Sequence, residues 1–201
     1  KHKNFITEIP TNRFDYRIYN DPYIKWGGFM NNIDKFDASF FNISDEEAKF
    51  LDPQHRLFLQ SSLRTIGDAG YTLSKINGKK MGVFVGIGSQ DYSELIKNNI
   101  DVTNPPPYAL TGVTSFMLAN RISSFLNVRG PSEPVDTACS SSLVAINRAI
   151  NSMLNNECDM ALVGGVNIIT TPSIYHSFSS AGMLNNSPEC RVFDEEANGT
   201  I

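Results

Sequence analysis

The chain has 201 residues, of which 41% are hydrophobic and 19% charged, and its formal net charge at pH 7 is −4. These values are typical of a globular domain with a sizeable core. The 17 Lys and Arg residues are scattered and are outnumbered by 21 Asp and Glu, so the charge offers no basic surface for a nucleic-acid backbone. No stretch approaches the ~20 apolar residues of a membrane span, and no signal-peptide pattern follows the first residues. We therefore expect a cytoplasmic protein that binds neither nucleic acid nor membrane.

The three cysteines, Cys139, Cys158 and Cys190, are odd in number and widely spaced. This spacing suits neither a disulfide framework nor a zinc site, so we expect free thiols in a reducing compartment and no bound metal. Cys158 and Cys190 are interpreted as packing residues. The pair Gly86 and Gly88 lacks the third glycine of a dinucleotide-binding loop, and no directly bound cofactor is expected.

The first clear helix is predicted after about 42 residues of loops and short strands. Asp52 is a suitable N-cap, Pro53 suits the first helical position and Gly70 supplies a C-terminal stop. Three apolar residues define its predicted buried face: Leu57, Leu63 and Ile66.

Strands and helices alternate in the rest of the chain. Buried strands are predicted at Met81–Ile87, at residues 133–136 and at residues 160–163, the last interrupted by Gly164 and Gly165. A helix is predicted from Thr111 to Leu126, ended by residues 129–131. A second helix is indicated by apolar residues at helical spacing: Leu143, Ile146, Ile150, Met153 and Leu154. This alternation predicts an α/β architecture with helices packed on a central sheet.

Cys139 stands at the predicted turn between the strand at 133–136 and the helix that follows. Free backbone N–H groups and the positive end of the helix dipole favour a thiolate at such a position. A thiolate there is a candidate nucleophile for thioester chemistry. The spacing alone leaves open a second interpretation, in which Cys139 is a small buried hydrophobic residue.

Several motifs resemble those of one enzyme family, the β-ketoacyl synthase (ketosynthase) domains of modular polyketide synthases. Residues 130–145 read GPSEPVDTACSSSLVA and resemble the family's active-site signature, in which the cysteine is acylated. Further matching segments occur in the family's order: LDPQHRL at 51–57, DAGY at 68–71, ANRIS at 119–123, CDMALVGGVN at 158–167 and CRVFD at 190–194. The tripeptide SEP at 132–134 is most similar to synthases of the trans-acyltransferase type, which use a freestanding acyltransferase.

The resemblance implies a thiolase-like fold, layered α-β-α-β-α, in two similar halves and paired as a homodimer. It implies that Cys139 accepts an acyl chain from the phosphopantetheine arm of an acyl carrier protein domain and that its backbone N–H contributes to the oxyanion hole. A decarboxylated malonyl thioester then attacks the enzyme-bound chain. Phe178 is similar to a phenylalanine that borders the acyl pocket, with core packing as the rival interpretation. The implied partners are carrier proteins, the remaining modules of the synthase and a second copy of the domain.

The resemblance also implies that residues 1–201 are the N-terminal half of the synthase. The family's two histidines and lysine lie beyond them, since His2, His55 and His176 stand in none of the family's histidine motifs. His55 is interpreted as structural and His176 as a packing or surface residue. We therefore expect that the isolated chain cannot condense acyl and malonyl thioesters.

Two alternatives to a condensing enzyme are open at this stage. A non-condensing ketosynthase-like domain would bind or pass on acyl chains without elongation. A cysteine hydrolase of unrelated fold would need His55 or His176 within hydrogen-bond reach of Cys139.

Overall fold

A computed structural model describes residues 4–201 of the chain. Its five strands are β1 (Ile6–Glu8), β2 (Trp26–Gly28), β3 (Met81–Ile87), β4 (Ser132–Val135) and β5 (Met160–Val166). Its seven α-helices are α1 (Asp45–Phe50), α2 (Pro53–Asp68), α3 (Leu73–Ile76), α4 (Tyr92–Asn98), α5 (Ser115–Leu126), α6 (Ser141–Leu154) and α7 (Ser173–Ser180). These elements form two compact units. The larger is Asp34–Ile168, and the smaller joins the segment that ends at Ile33 to Ile169–Ile201.

The larger unit is built on a three-stranded parallel sheet in the order β4-β3-β5. Every residue of the central strand β3 is buried, because both faces of the sheet are covered by helices. Val83 and Val85 face a core shared with α2 and α5, whereas Phe84 packs with residues of α6. The predicted α/β architecture is therefore observed.

The smaller unit contains an antiparallel pair of strands, β1 and β2, and helix α7. Four buried residues form its core: Ile9, Ile24, Tyr175 and Leu184. The sequence-based expectation of loops with short strands fits residues 4–42, where the structure has β1, β2 and one 3-10 turn.

Helix α2 begins as predicted, with the Asp52 carboxylate accepting from the backbone N–H of Gln54. The chain leaves it through Gly70, whose φ of +78° favours glycine. Its buried face was predicted only in part: Ile66 is buried and Leu63 is half-buried against the same core, whereas Leu57 is half-buried and does not join it. The buried face also carries Phe58, Leu59 and Ser62, which the prediction did not include.

Three other boundaries differ from the sequence prediction. Helix α5 starts at Ser115 rather than Thr111, because residues 111–113 form turns; it ends at Leu126 as predicted, followed by Asn127 in the left-handed conformation (φ 50°). Strand β4 lies one residue earlier than predicted. Strand β5 is not interrupted at Gly164 and Gly165 but pairs with β3 as far as Val166.

Glycines occur within β5 because the side chains packed against this strand leave no room for a Cβ atom at two of its positions. A Cβ atom on Gly164 would lie 2.8 Å from the Phe58 ring, and one on Gly165 would lie 2.9 Å from the Cβ of Ser142. Such contacts are shorter than van der Waals separation. These glycines therefore mark close packing within the sheet and not a break in it.

Helix α6 turns its small residues towards the sheet. Its buried residues are Ser141, Ala145, Ala149 and Ser152. The apolar residues that predicted the helix lie on its outer side and are exposed: Leu143, Ile146, Ile150, Met153 and Leu154. The periodicity thus indicated a helix correctly, and it also identifies an apolar face that this part of the chain leaves uncovered.

Candidate active site

Cys139 lies in a short turn between the end of β4 at Val135 and the start of α6 at Ser141. Its side chain is exposed, so the interpretation of Cys139 as a small buried residue is wrong. The preceding residue, Ala138, has a φ of +55°. For a residue with a Cβ atom this left-handed conformation costs about 1–2 kcal/mol, and backbone strain of this kind is concentrated at functional sites.

Hydroxyl groups of the turn hold its backbone in place. The Ser141 Oγ accepts from the backbone N–H of Thr137 at 2.9 Å and donates to the carbonyl of Ala138 at 2.7 Å. The Ser140 Oγ donates to the Thr137 carbonyl at 2.8 Å. The strained backbone around Cys139 is therefore stabilised by side chains of the residues that follow it, which explains the serines of the motif.

The turn rests on a pair of glycines in the sheet. Gly86 of β3 and Gly165 of β5 are paired in the ladder. A Cβ atom on Gly86 would lie 2.7 Å from the backbone N of Ser142 and 2.9 Å from the carbonyl carbon of Ser141. The first turn of α6, which begins two residues after Cys139, therefore contacts the backbone of the sheet directly.

Sequence reasoning missed the role of this glycine pair. The sequence places Gly86 inside the predicted strand Met81–Ile87 and excludes it from a dinucleotide loop, and it predicts an interruption of the strand at Gly165, but it indicates no contact between the two glycines. A glycine inside each of two otherwise apolar strands was the signal available, since such glycines often mark close approach of another backbone. The pairing of the two required the register of the sheet.

Substituting Gly86 by alanine is expected to displace the first turn of α6. The added methyl group meets backbone atoms, which cannot move aside as a flexible side chain would, so we expect a loss of about 1–3 kcal/mol in stability and roughly tenfold slower modification of Cys139 by an acyl thioester. Gly67→Ala is the matched control, because Gly67 lies inside α2 with nothing within 4 Å of the added atom. That variant should gain up to about 1 kcal/mol. Chemical denaturation and thiol acylation rates measure both effects, and equal behaviour of the two variants would contradict the assigned contact.

The other two cysteines have different surroundings. Cys158 is buried, as predicted for a packing residue, and its Sγ lies 3.6 Å from the Ser152 Oγ. Cys190 is exposed, so its interpretation as a packing residue is wrong. It lies after α7 in a segment of turns and bends without helix or strand. All three thiols are free.

The histidines do not supply a base for Cys139 within the larger unit. His55 is fully buried, and neither of its ring nitrogens has a hydrogen-bond partner among the residues described. This observation agrees with a structural role and removes His55 as the partner that a cysteine hydrolase requires. His176 lies in the smaller unit with its ring edge-on to Tyr19, at a centroid distance of 4.4 Å. His2 lies outside the described residues.

Phe178 lies in α7 and is 36% exposed. It belongs to the smaller unit, whereas Cys139 belongs to the larger one. Its assignment to an acyl pocket stays a prediction.

Over residues 4–201, no group of three or more His, Cys, Asp or Glu side chains is arranged to hold a metal ion. In the same part of the chain, none of the helices has the length and apolar character needed to span a membrane.

Comparison with known proteins defines the class to which this strand–cysteine–helix arrangement belongs. A family model described as "Beta-ketoacyl synthase, N-terminal domain" matches residues 1–201. The polyketide synthase PksN of Bacillus subtilis is 46% identical over 98% of the chain, and polyketide synthase 37 of Dictyostelium discoideum is 41% identical over 98%. The chain spans 4% and 7% of the length of these two relatives.

Solved structures show the same likeness. The ketosynthase from module 6 of the bacillaene synthase of Bacillus subtilis has a TM-score of 0.87 and 44% identity over 98% of the chain. The oxazolomycin ketosynthase domain OzmH KS7 of Streptomyces albus has a TM-score of 0.86 and 32% identity over 96%. The chain covers 32% and 35% of these structures.

The chain belongs to the β-ketoacyl synthase family and corresponds to its N-terminal domain. Its relatives are polyketide synthases, as the motifs indicated. The predicted thiolase-like fold is confirmed by the likeness to solved ketosynthase domains, of which the chain represents the N-terminal, mixed α/β part.

Proposed function

We propose that Cys139 is the acyl-accepting nucleophile of a polyketide ketosynthase. The observation that carries the proposal is an exposed thiol on a strained turn, immediately before a 14-residue helix whose first residues contact the Gly86–Gly165 pair. The turn presents the sulfur to solvent, and the N-terminal end of α6 favours negative charge beside it. Membership of the ketosynthase family supports thioester exchange as the chemistry.

In the first half-reaction, the Cys139 thiolate attacks the carbonyl carbon of an acyl chain held on the phosphopantetheine of a carrier protein. A new C–S bond forms through a tetrahedral intermediate, and the phosphopantetheine thiol leaves with a proton. The backbone N–H of Cys139 is proposed as one donor to the oxyanion. The structure is compatible with this role, because backbone N–H groups that precede the first turn of a helix lack intrahelical partners.

In the second half-reaction, a malonyl thioester loses carbon dioxide, and the resulting carbanion attacks the Cys139 thioester. A C–C bond forms and the Cys139 thiolate is released. The decarboxylation and the polarisation of the malonyl carbonyl are assigned to histidines and a lysine of the remaining part of the domain. Both substrates arrive on carrier proteins, and no directly bound cofactor is proposed.

We propose that residues 1–201 act as one part of a condensing domain and that the remainder covers the outer side of α6. Five exposed apolar residues at helical spacing support this assignment: Leu143, Ile146, Ile150, Met153 and Leu154. In a layered fold such a face belongs to the layer shared by the two halves. Phe178 is proposed as a wall of the acyl pocket. A homodimer, a trans-acyltransferase context suggested by residues 132–134 and a cytoplasmic location complete the proposal.

The test uses the complete condensing domain that contains this chain. It is incubated with an acyl phosphopantetheine thioester, and the added mass is located by intact-protein and peptide mass spectrometry. We expect one acyl group on the peptide that contains Cys139 and none on those that contain Cys158 or Cys190. Subsequent addition of a malonyl carrier thioester should release a β-ketoacyl product. Release of the unextended acyl chain instead would indicate the non-condensing alternative, and absence of any label on Cys139 would contradict the proposal.

A further inference from the structure

The side chain of Gln54 joins segments that lie far apart in the sequence. It is the second residue of α2 and is 1% exposed. Its Oε1 accepts from the backbone N–H of Ile168 at 3.3 Å, and its Nε2 donates to the carbonyl of Ser89 at 2.7 Å. Every polar atom of this carboxamide is thus engaged inside the protein, since Nε2 also donates to the Asp52 carboxylate at 3.3 Å.

The position of this carboxamide follows from the register of the sheet. The last paired residues of β3 and β5 are Ile87 and Val166. Two residues further along both strands come Ser89 and Ile168, the second position beyond the last pair if the same register continued. There the Gln54 carboxamide stands between the strands, accepting from the N–H of one and donating to the carbonyl of the other. A side-chain amide therefore replaces a backbone peptide group as the final link between β3 and β5.

A second side-chain amide contributes at the same place. The Asn167 Oδ1 accepts from the backbone N–H of Ser89 at 2.9 Å. The two strands consequently separate at their carboxyl ends without leaving these backbone groups unpaired. Strand β4 is parallel to β3, so its carboxyl end lies at the same edge of the sheet, and from there the chain continues to Cys139.

The carboxylate of Asp52 fixes the orientation of the Gln54 amide. Its Oδ1 accepts from the Gln54 backbone N–H at 2.7 Å, and its Oδ2 faces the Gln54 Nε2. Since Asp52 and the Ser89 carbonyl both require a donor, the NH2 group must point towards them and the oxygen towards Ile168. Burial raises the pKa of Asp52 to about 6, the hydrogen bonds from Gln54 oppose that rise, and Asp91 and Arg56 are the other charged groups that act on it.

The link lies close to the support of the reactive thiol. The Gly86–Gly165 pair, on which the first turn of α6 rests, immediately precedes the last pair of the ladder. The separation of β3 and β5 at this end therefore sets the spacing of the two glycines beneath Ser142. A substitution of Gln54 should therefore alter the position of Cys139 through the contact between Ser142 and the two glycines.

We infer that Gln54 is a positioning residue for the acylation of Cys139. Its carboxamide holds the carboxyl ends of β3 and β5 at the separation that seats the Cys139 turn. The inference rests on the proposed function, and Gln54 acts through the strands without contact with the substrate.

Gln54→Glu in the complete condensing domain tests this role through its pH dependence. A carboxylate at this position can accept from Ile168 but cannot donate to Ser89, and it repels Asp52 and Asp91. A protonated carboxyl group restores the donor. Burial and the nearby Asp52 favour the protonated form of a glutamic acid at this position, so the rate of Cys139 acylation relative to wild type should be at least about tenfold lower at pH 9 than at pH 6.

Two further variants separate positioning from general destabilisation. Gln54→Met removes the donor and the acceptor at nearly constant volume, so its acylation rate should be reduced at every pH without recovery at pH 6. It also provides the measurement if Gln54→Glu does not fold. Gln60→Glu is the matched control, because Gln60 lies on the same helix and donates to the Lys35 carbonyl near the surface. That variant should acylate within twofold of wild type from pH 6 to pH 9.

Hydrogen–deuterium exchange of the peptide at residues 136–142 gives a readout independent of acyl transfer. At pH 8.5 we expect exchange at least about tenfold faster in Gln54→Glu than in wild type, and no change in Gln60→Glu. Wild-type exchange and acylation in Gln54→Glu at all pH values would overturn the inference, as would equal losses in Gln54→Glu and Gln60→Glu. If the exchange pattern is as expected but the wild type forms no Cys139 thioester, the positioning role stands and the proposed acyl transfer fails.

Discussion

Replacing Cys139 with alanine is expected to abolish covalent acyl loading of the complete domain while leaving its fold intact. An alanine has no nucleophile, and no hydroxyl or amine of the turn can substitute for a thiolate at neutral pH. The loss of loading rate should be on the order of a thousandfold or more. Because the side chain at this position is exposed, the substitution should change the free energy of unfolding by less than about 0.5 kcal/mol.

Cys190→Ala is the matched control for this variant. Both thiols are exposed, but Cys190 lies in a segment of turns and precedes no helix. Loading followed by intact-protein mass spectrometry should therefore be unchanged in Cys190→Ala. Equal loading of Cys139→Ala and wild type would show that Cys139 is not the acyl acceptor.

Features set by local sequence were predicted well. The run Met81–Ile87 is apolar throughout, and it forms the fully buried central strand. The order strand, cysteine, helix around Cys139 was also predicted, since a β-turn-α transition has local signals in proline, serine and the apolar periodicity of α6. The exposure of the thiol agreed with a nucleophile and not with a packing residue.

Features that depend on contacts between distant segments were not predicted. Gly165 was interpreted as a break, because its Ser142 neighbour and its Gly86 partner in the ladder become known only from the register of the sheet. The face of α6 that is buried could not be predicted for a related reason. Its small residues Ala145 and Ala149 pack with Phe84 on the sheet, so the apolar residues that gave the helix its periodicity point outwards. The bridge made by Gln54 joins residues 35 and 114 positions away in sequence, and no local pattern indicates it.

The burial of His55 is expected to make the domain sensitive to mild acid. Desolvation, reinforced by the positive charge of Arg121, lowers the pKa of His55 from 6.5 to about 3. The folded state therefore holds this ring neutral, whereas the unfolded chain binds a proton as the pH falls below 6.5. The stability that depends on the neutral ring is complete above pH 6.5 and is lost progressively towards pH 3. Each unit of pKa difference corresponds to about 1.4 kcal/mol, so the full loss is on the order of 5 kcal/mol.

Asp52 acts in the opposite direction over part of this range. Its pKa is raised by burial from 3.8 to about 6, so the folded state binds a proton more readily than the unfolded chain does. Acidification between pH 6 and pH 4 therefore adds stability through Asp52, up to about 3 kcal/mol. When the pH falls from 7 to 5, we expect the free energy of unfolding to decrease by about 2 kcal/mol through His55 and to increase by about 1 kcal/mol through Asp52. The wild type therefore loses stability over this range.

His55→Leu should reverse the sign of this pH dependence. The ring nitrogens of His55 make no hydrogen bond within residues 4–201, so leucine removes the titration without breaking a polar contact. Urea unfolding at a series of pH values should show the variant gaining about 1 kcal/mol from pH 7 to pH 5 relative to its own value at pH 7, because the Asp52 contribution then acts without opposition. His55→Gln, which is polar but cannot be protonated, should show the same slope from a different starting stability. A wild-type slope in both variants would mean that His55 is not the group that couples the fold to pH.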